Sequence, residues 1–167
     1  MAMSWRRTRE MLQAGAPAPA FHLRDLDGDD RSSKDLIANG PVVLAFFKAS
    51  CPVCQYTLPF LDRMARGNPA GSLRIYVVSQ DDARATRTFL RQYNISLPAL
   101  LDAEESGYPA SNAFGISHVP SMFLIEQDGA IAWALDGFSK RDLEALGERA
   151  GVAPFAPGEH VPEWKAG

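Results

Sequence analysis

Cysteine is scarce in this sequence, and its scarcity excludes several kinds of protein. The 167 residues contain two cysteines, Cys51 and Cys54, both inside the stretch "KASCPVC". Two cysteines cannot build the framework of a disulfide-rich secreted scaffold, and so short a disulfide loop would remove little entropy from the unfolded chain. A structural zinc site requires about four ligands at set spacing, and the histidines are scattered: His22, His118 and His160. The pair therefore predicts redox chemistry without a metal.

Long apolar runs and an excess of one charge are missing as well. No run of about 18 apolar residues occurs, so the sequence predicts no membrane span. The first stretch, "MAMSWRRTREMLQAGAPAPAF", has arginines but not the run of about 7–15 apolar residues that a secretory signal places after them. We therefore expect a cytoplasmic protein, with a processed exported form as the alternative, because removal of a signal would leave the same kind of sequence. The net charge of −3 leaves no basic face, so nucleic acid is not an expected partner.

Strand and helix patterns alternate along the rest of the chain. "PVVLAFFKA" is a continuous apolar run typical of a buried central strand, and a helical stripe of apolar residues follows over residues 52–67. "SLRIYVVS" and "PALLD" indicate further strands, and "SMFLIEQDGAIAWALD" indicates a hairpin around Asp128 and Gly129. A capping pattern at Ser139 predicts a last helix. Together these patterns predict an α/β fold with a parallel core and antiparallel edge strands.

Cys51 is expected where the buried strand ends and the helix begins. The first turn of a helix carries a partial positive charge and free N–H donors, which stabilise a thiolate, the nucleophile of thiol–disulfide exchange. Cys54 lies one helical turn further, in reach of a mixed disulfide formed at Cys51. Pro52 suits the first helical position, because an N–H there would have no partner. Val53 adds an apolar face beside the sulfurs, and we assign Pro52 and Val53 to the substrate-binding surface.

Three stretches resemble the thioredoxin superfamily, in the redoxin branch of TlpA-like and AhpC/TSA-related proteins. "GAPAPAFHLRDLDG" resembles the N-terminal hairpin of that branch, "VVLAFFKASCPVC" the strand leading to the redox pair, and "VPSMFLIEQDGAI" the cis-proline segment with its hairpin. The resemblance implies a thioredoxin-like three-layer α/β/α fold, with a central mixed β-sheet, an N-terminal β-hairpin extension and flanking helices. We expect an N-terminal extension over residues 1–15, the thioredoxin-like domain over 16–151, and an irregular C-terminal tail over 152–167.

The resemblance also implies roles for single residues. By position, Cys51 is the exposed nucleophile and Cys54 the resolving thiol. Pro120 matches the cis-proline beside the cysteines, and Val119 would offer its backbone groups to an extended substrate chain. Pro59 matches the kink of the family's helix. No bound cofactor is expected, because the cysteines themselves carry the electrons.

Three positions depart from the family pattern. Ser50 replaces a tryptophan that commonly precedes the first cysteine, Ala45 replaces a buried aspartate, and Thr57 replaces a glutamate found in some TlpA-like proteins. No obvious carboxylate is then left to take the proton of the resolving thiol. Lys48 and His118 are candidates for tuning the pair, since a cation near a thiolate favours it and a histidine can carry protons.

A thiol–disulfide oxidoreductase is the function that these features predict. It would act on a protein disulfide or dithiol and be recharged by an external thiol reductant, with the direction of electron flow left open.

Two alternatives remain. A thiol peroxidase of the peroxiredoxin kind would carry P-x-x-x-[TS]-x-x-C, but the positions counted back from Cys51 hold Leu44 and Lys48. A redox-sensing adaptor without turnover would use the tail, with its Trp164, for docking.

Overall fold

The elements of the fold follow the predicted alternation. The computed structural model describes residues 10–68 and 71–167, so the first nine residues of the predicted N-terminal extension lie outside it. Within these ranges the strands are β1 (His22–Asp25), β2 (Asp30–Ser32), β3 (Val42–Phe47), β4 (Arg74–Ser79), β5 (Ala99–Leu101), β6 (Ser121–Ile125), β7 (Ile131–Asp136), β8 (Phe138–Ser139) and β9 (Trp164–Lys165). The helices are α1 (Ser33–Ile37), α2 (Pro52–Gly67), α3 (Ala83–Gln92), α4 (Pro109–Ala113) and α5 (Lys140–Ala150).

Seven of the strands form one mixed sheet, in the order β2-β1-β5-β4-β3-β6-β7. β3, β4 and β5 run parallel to one another, which requires the helical crossovers between them. β1 pairs antiparallel with both β2 and β5, and the β6–β7 hairpin closes the opposite edge next to β3. The predicted mixed sheet with its N-terminal hairpin is confirmed.

A separate core cluster covers each face of this sheet, because successive side chains of a strand point to opposite faces. The odd-numbered residues of β3 enter the first cluster, together with apolar residues of α2, α3 and α5. Its even-numbered residues enter the second cluster, which α1, α4 and the chain before β1 cover. Since all six residues of β3 are buried, this strand lies at the centre of the three layers.

The chain before β1 and the chain after α5 both pack on this domain. Leu12 N–H donates to the carbonyl of Phe114 over 3.1 Å, so the described part of the extension follows the second cluster. In the tail, the ring of Phe155 packs against Phe60, with centroids 4.9 Å apart. Arg63 forms two hydrogen bonds with the carboxylate of Glu159, at 2.8 and 3.2 Å. The division at residues 15 and 152 stays a prediction.

No helix within residues 10–68 and 71–167 is both long enough and apolar enough to cross a membrane.

Candidate active site

Cys51 is the N-cap of α2, directly after the turn that leaves β3. Its backbone is extended, and its Sγ accepts a hydrogen bond from Cys54 N–H over 3.2 Å. Pro52 occupies the first helical position, as predicted. The free N–H groups and the positive end of the helix dipole therefore face the sulfur of Cys51. The Cys51 Sγ also donates to the carbonyl of Val119, 3.4 Å away across the sheet.

Cys54 has a very different environment. Its side chain is fully buried among apolar residues of the first cluster, including Ala45 and Met122, whereas Cys51 is half-buried. Burial raises the pKa of the Cys54 thiol far above its ordinary value, because the thiolate is costly in an apolar environment. The hydrogen bond with Cys51 and the negative charge of Asp81 raise this pKa further. The Cys51 sulfur is therefore accessible, whereas the Cys54 sulfur is buried and stays protonated.

The turn before Cys51 is held by a carboxylate from the neighbouring strand. Asp81 follows β4, and its Oδ2 accepts a hydrogen bond from Ala49 N–H over 2.7 Å. Gln55 binds the other side of the same residue, its Nε2 donating to the Ala49 carbonyl over 2.9 Å. Asp81 is itself fixed by its own N–H, which donates to the Ser79 hydroxyl over 3.1 Å. A negative charge therefore lies beside the redox pair.

Asp81 is the residue beside the redox pair that the sequence does not identify. Its neighbour Asp82 is of a type that favours helix caps, and it caps α3 by accepting from Ala85 N–H. The signal that identifies Asp81 is topological. β3 and β4 are parallel neighbours, so the residues that follow their carboxyl ends meet at one edge of the sheet.

A cavity of about 540 Å³ opens beside Cys51. Five of the predicted site residues line it: Lys48, Cys51, Pro52, His118 and Val119. Both Lys48 and His118 are exposed, and the hydroxyl of Ser117 hydrogen-bonds with Nδ1 of His118 over 2.9 Å. The cavity offers these polar groups to a molecule that approaches the Cys51 sulfur.

Val119 and Pro120 form the opposite side of the site. The peptide bond between them is cis, as the resemblance implied. Pro120 is buried and its carbonyl accepts from Gly137 N–H over 2.8 Å, whereas Val119 is half-buried and lines the cavity. Val53 is half-buried and packs against the first cluster.

Two of the three departures from the family pattern, Ala45 and Thr57, leave no carboxylate in the buried space below the pair. Ala45 is completely buried in the first cluster. Thr57 is completely buried as well, and its hydroxyl donates to the Val53 carbonyl of its own helix over 2.6 Å. Neither position supplies a base, which leaves Asp81 as the carboxylate whose charge acts on Cys54.

Within the described residues, one cluster of aspartates has carboxylate oxygens close enough together to suggest a cation-binding site. Oxygens of Asp25, Asp27 and Asp29 lie within 4.8 Å of one another in the β1–β2 turn. The Asp25 carboxylate already accepts from the N–H groups of Asp27 and Asp29 and from Arg31. These bonds make it a turn-forming residue, remote in sequence from the redox pair.

The model of the AhpC/TSA family matches residues 14–134, a span that includes both cysteines and the cis-proline. The chain belongs to the AhpC/TSA family. Curated relatives carry the name thiol–disulfide oxidoreductase ResA. The protein of that name from Bacillus thuringiensis (strain Al Hakam) is 28% identical over 138 residues, which cover 81% of this chain and 78% of the relative. That of Bacillus subtilis (strain 168) is 25% identical over 130 residues, covering 77% and 70%.

Solved structures show that this member of the family shares its fold with several redox proteins. A putative thiol:disulfide interchange protein DsbE from Chlorobium tepidum superposes with a TM-score of 0.71 at 23% identity, covering 84% of this chain and 96% of that one. The peroxidoxin BcpB from Mycobacterium tuberculosis gives a TM-score of 0.68 at 22% identity, covering 83% and 94%. The predicted thioredoxin-like fold is confirmed.

Proposed function

We propose that this protein is a thiol–disulfide oxidoreductase whose redox pair is Cys51 and Cys54. One observation carries the proposal. The half-buried Cys51 sulfur lies at the first turn of α2 and opens onto a cavity, while Cys54, whose N–H donates to that sulfur, is buried behind it. An accessible nucleophile backed by a protected thiol is what two-step disulfide exchange requires. The names of the ResA relatives support the same reaction class.

The reaction takes place in two exchanges. The Cys51 thiolate attacks one sulfur of the substrate disulfide, forms a mixed disulfide and releases the first substrate thiol. The Cys54 sulfur then attacks Sγ of Cys51, loses its proton, closes the Cys51–Cys54 disulfide and releases the second substrate thiol. Two electrons and two protons pass from the protein dithiol to the substrate, and an external thiol reductant restores the dithiol.

The surrounding residues have distinct roles in this proposal. Val119 borders the cavity through which the substrate reaches Cys51, and Pro52, Val53 and Pro120 shape the surface beside the sulfurs. Lys48 and His118 line the cavity beside Cys51, and in this proposal they tune the reactivity of the redox pair. The substrate is a protein disulfide or dithiol.

The test is reduction of insulin disulfides in the presence of dithiothreitol, with single-cysteine variants. We expect Cys51→Ser to abolish turnover, because it removes the nucleophile. We expect reduced Cys54→Ser, mixed with insulin after dithiothreitol has been removed, to accumulate a mixed disulfide with the substrate, because the second exchange cannot occur. Full insulin reduction by Cys51→Ser would overturn the proposal. Rapid peroxide consumption that exceeds disulfide reduction would assign the protein to the peroxidases instead.

The direction of electron flow and the compartment are tested by the redox potential of the pair. A potential near that of thioredoxin, about −270 mV, is expected for a reductase in the cytoplasm. A potential near about −120 mV would mark an oxidant and contradict the cytoplasmic assignment.

A further inference from the structure

The last described residues of the chain return to the active site. After Val161, which packs on the first cluster, the carbonyl of Glu163 accepts from Lys140 N–H over 3.0 Å at the start of α5. β9 then pairs antiparallel with β8, with Lys165 opposite Phe138. The ammonium of Lys165 lies 5.2 Å from the ring centre of Tyr56 on α2. These contacts fix the path of the chain up to its last residues. We call residues 165–167 the covering segment.

The covering segment reaches the backbone of Val119. A β-carbon built on Gly167 would lie 2.6 Å from the Val119 carbonyl oxygen and 3.5 Å from Cδ of Pro120. The covering segment also packs closely against Gly137, where a β-carbon would lie 2.5 Å from the carbonyl oxygen of Lys165. Gly137 has φ of +80°, a conformation suited to glycine, so the body of the protein leaves room for this backbone and for little more.

The Val119 carbonyl oxygen is also the group nearest the nucleophile on this side of the site. It accepts from the Cys51 Sγ over 3.4 Å, and Gly167 and Cys51 line the same cavity. Val119 lies just before β6, outside the sheet ladder, so its backbone is open to an extended peptide that binds through main-chain hydrogen bonds. A substrate chain extended along Val119 would therefore occupy the space that Gly167 fills.

We propose that the covering segment is a specificity-determining element, which excludes disulfides carried on extended chains and admits small or loop-presented disulfides through the cavity. The proposal rests on the function proposed above and names the substrate class of the same site. The open route passes Lys48, Gln80, Tyr108 and His118, which line the cavity on its other side. Because this route needs no pairing with Val119, a disulfide at the tip of a narrow loop reaches Cys51 by it.

The experiment compares two substrates with the same leaving thiol. One is bis(2-hydroxyethyl) disulfide, and the other is a linear peptide whose central cysteine is joined to mercaptoethanol through a disulfide. Both are reduced by the full chain, by a variant lacking residues 165–167, and by Lys165→Pro. Proline at this position cannot donate to the β8–β9 ladder, so the second variant releases the segment without shortening the chain. Trp164→Ala is the matched control, because its side chain is 63% exposed.

Removal or release of the covering segment is expected to raise kcat/KM for the peptide about fivefold, the gain of roughly one backbone hydrogen bond. The small disulfide and the Trp164→Ala control should keep the rates of the full chain. An unchanged or lower rate for the peptide in both variants would overturn the proposal. An unchanged rate would mean that the segment does not block the substrate, and a lower rate would mean that it helps to bind it. Failure of the full chain and both variants to reduce even the small disulfide would instead refute the proposed function.

Discussion

At the scale of single residues, the two cysteines of the redox pair differ in burial, and their proposed roles follow from that difference. Cys51 is half-buried at the helix start, and Cys54 is fully buried among apolar side chains. The sequence predicts this order, because the first cysteine of the pair follows the strand and the second lies inside the helix. It does not predict the charge beside them. Asp81 approaches from the next strand, and its carboxylate both binds Ala49 N–H and opposes ionisation of Cys54.

Replacing Asp81 with asparagine separates these two effects. The Asp81→Asn side chain keeps an oxygen that can accept from Ala49 N–H, but it lacks the negative charge that raises the pKa of Cys54. We expect the Cys54 thiol to ionise at lower pH in this variant. Thiolate absorbance against pH, measured in a Cys51→Ser background, reports Cys54 alone.

Two further variants control that measurement. Asp82→Asn changes a neighbouring carboxylate that caps α3, so its titration curve should match the parent. Asp81→Ala removes charge and hydrogen bond together, and is expected to loosen the turn before Cys51 as well. Coincident curves for Asp81→Asn and the parent would show that the charge does not act on Cys54.

At the scale of elements, the cavity depends on a short helix that is anchored by one buried carboxylate. Asp102 follows β5 and is completely buried. Its two oxygens accept from the N–H groups of Ala110 and Ser111 at 2.9 and 2.7 Å, and from the Ser111 hydroxyl at 2.5 Å. This set of bonds satisfies free donors in the first turn of α4, which lines the cavity through Ser111. The sequence does not identify this anchor, because Asp102 follows β5 and meets the first turn of α4 only in the folded chain.

Asp102→Ala is expected to destabilise the protein by about 3 kcal/mol, because buried donors lose a charged acceptor. Asp102→Asn, which keeps one acceptor oxygen, should lose less. Urea unfolding of both variants and the parent measures the difference. Equal stability of Asp102→Ala and the parent would mean that water or another group accepts the hydrogen bonds of the Ala110 and Ser111 N–H groups.

At the scale of the whole molecule, the buried thiol makes folding depend on pH. The pKa of Cys54 is raised in the folded state above the value of 9.0 of an ordinary thiol. A raised pKa means that its contribution to stability is complete below pH 9.0 and declines above it, since the unfolded chain then releases a proton that the folded protein keeps.

We therefore expect the free energy of unfolding of the reduced protein to fall above about pH 9 more steeply than in Cys54→Ala. The difference in slope approaches about 1.4 kcal/mol per pH unit, the value for one proton. Denaturant unfolding at a series of pH values, with excess reductant, measures both slopes. A Cys51→Ser background in both proteins removes the second thiol from the comparison. Parallel pH curves for the two proteins would contradict the prediction.

The sequence alone determined the alternation of strands and helices from β3 to the β6–β7 hairpin, the strand-to-helix position of Cys51 and the family. Local patterns were enough for these, since apolar periodicity, a proline at the first turn of α2 and the spacing of the cysteines are properties of neighbouring residues. The thioredoxin-like fold then follows from the family resemblance and is confirmed by the mixed sheet.

Only the tertiary structure decided which distant groups surround the pair. Asp81 reaches Ala49 because two parallel strands end at one edge, and Gly167 reaches Val119 because β9 pairs with β8. Both contacts join residues far apart in sequence, and they depend on sheet order and on the path of the tail. Side-chain type and spacing carry no information about either contact. The carboxylate beside the thiols and the position of Gly167 against Val119 are therefore properties of the folded chain alone.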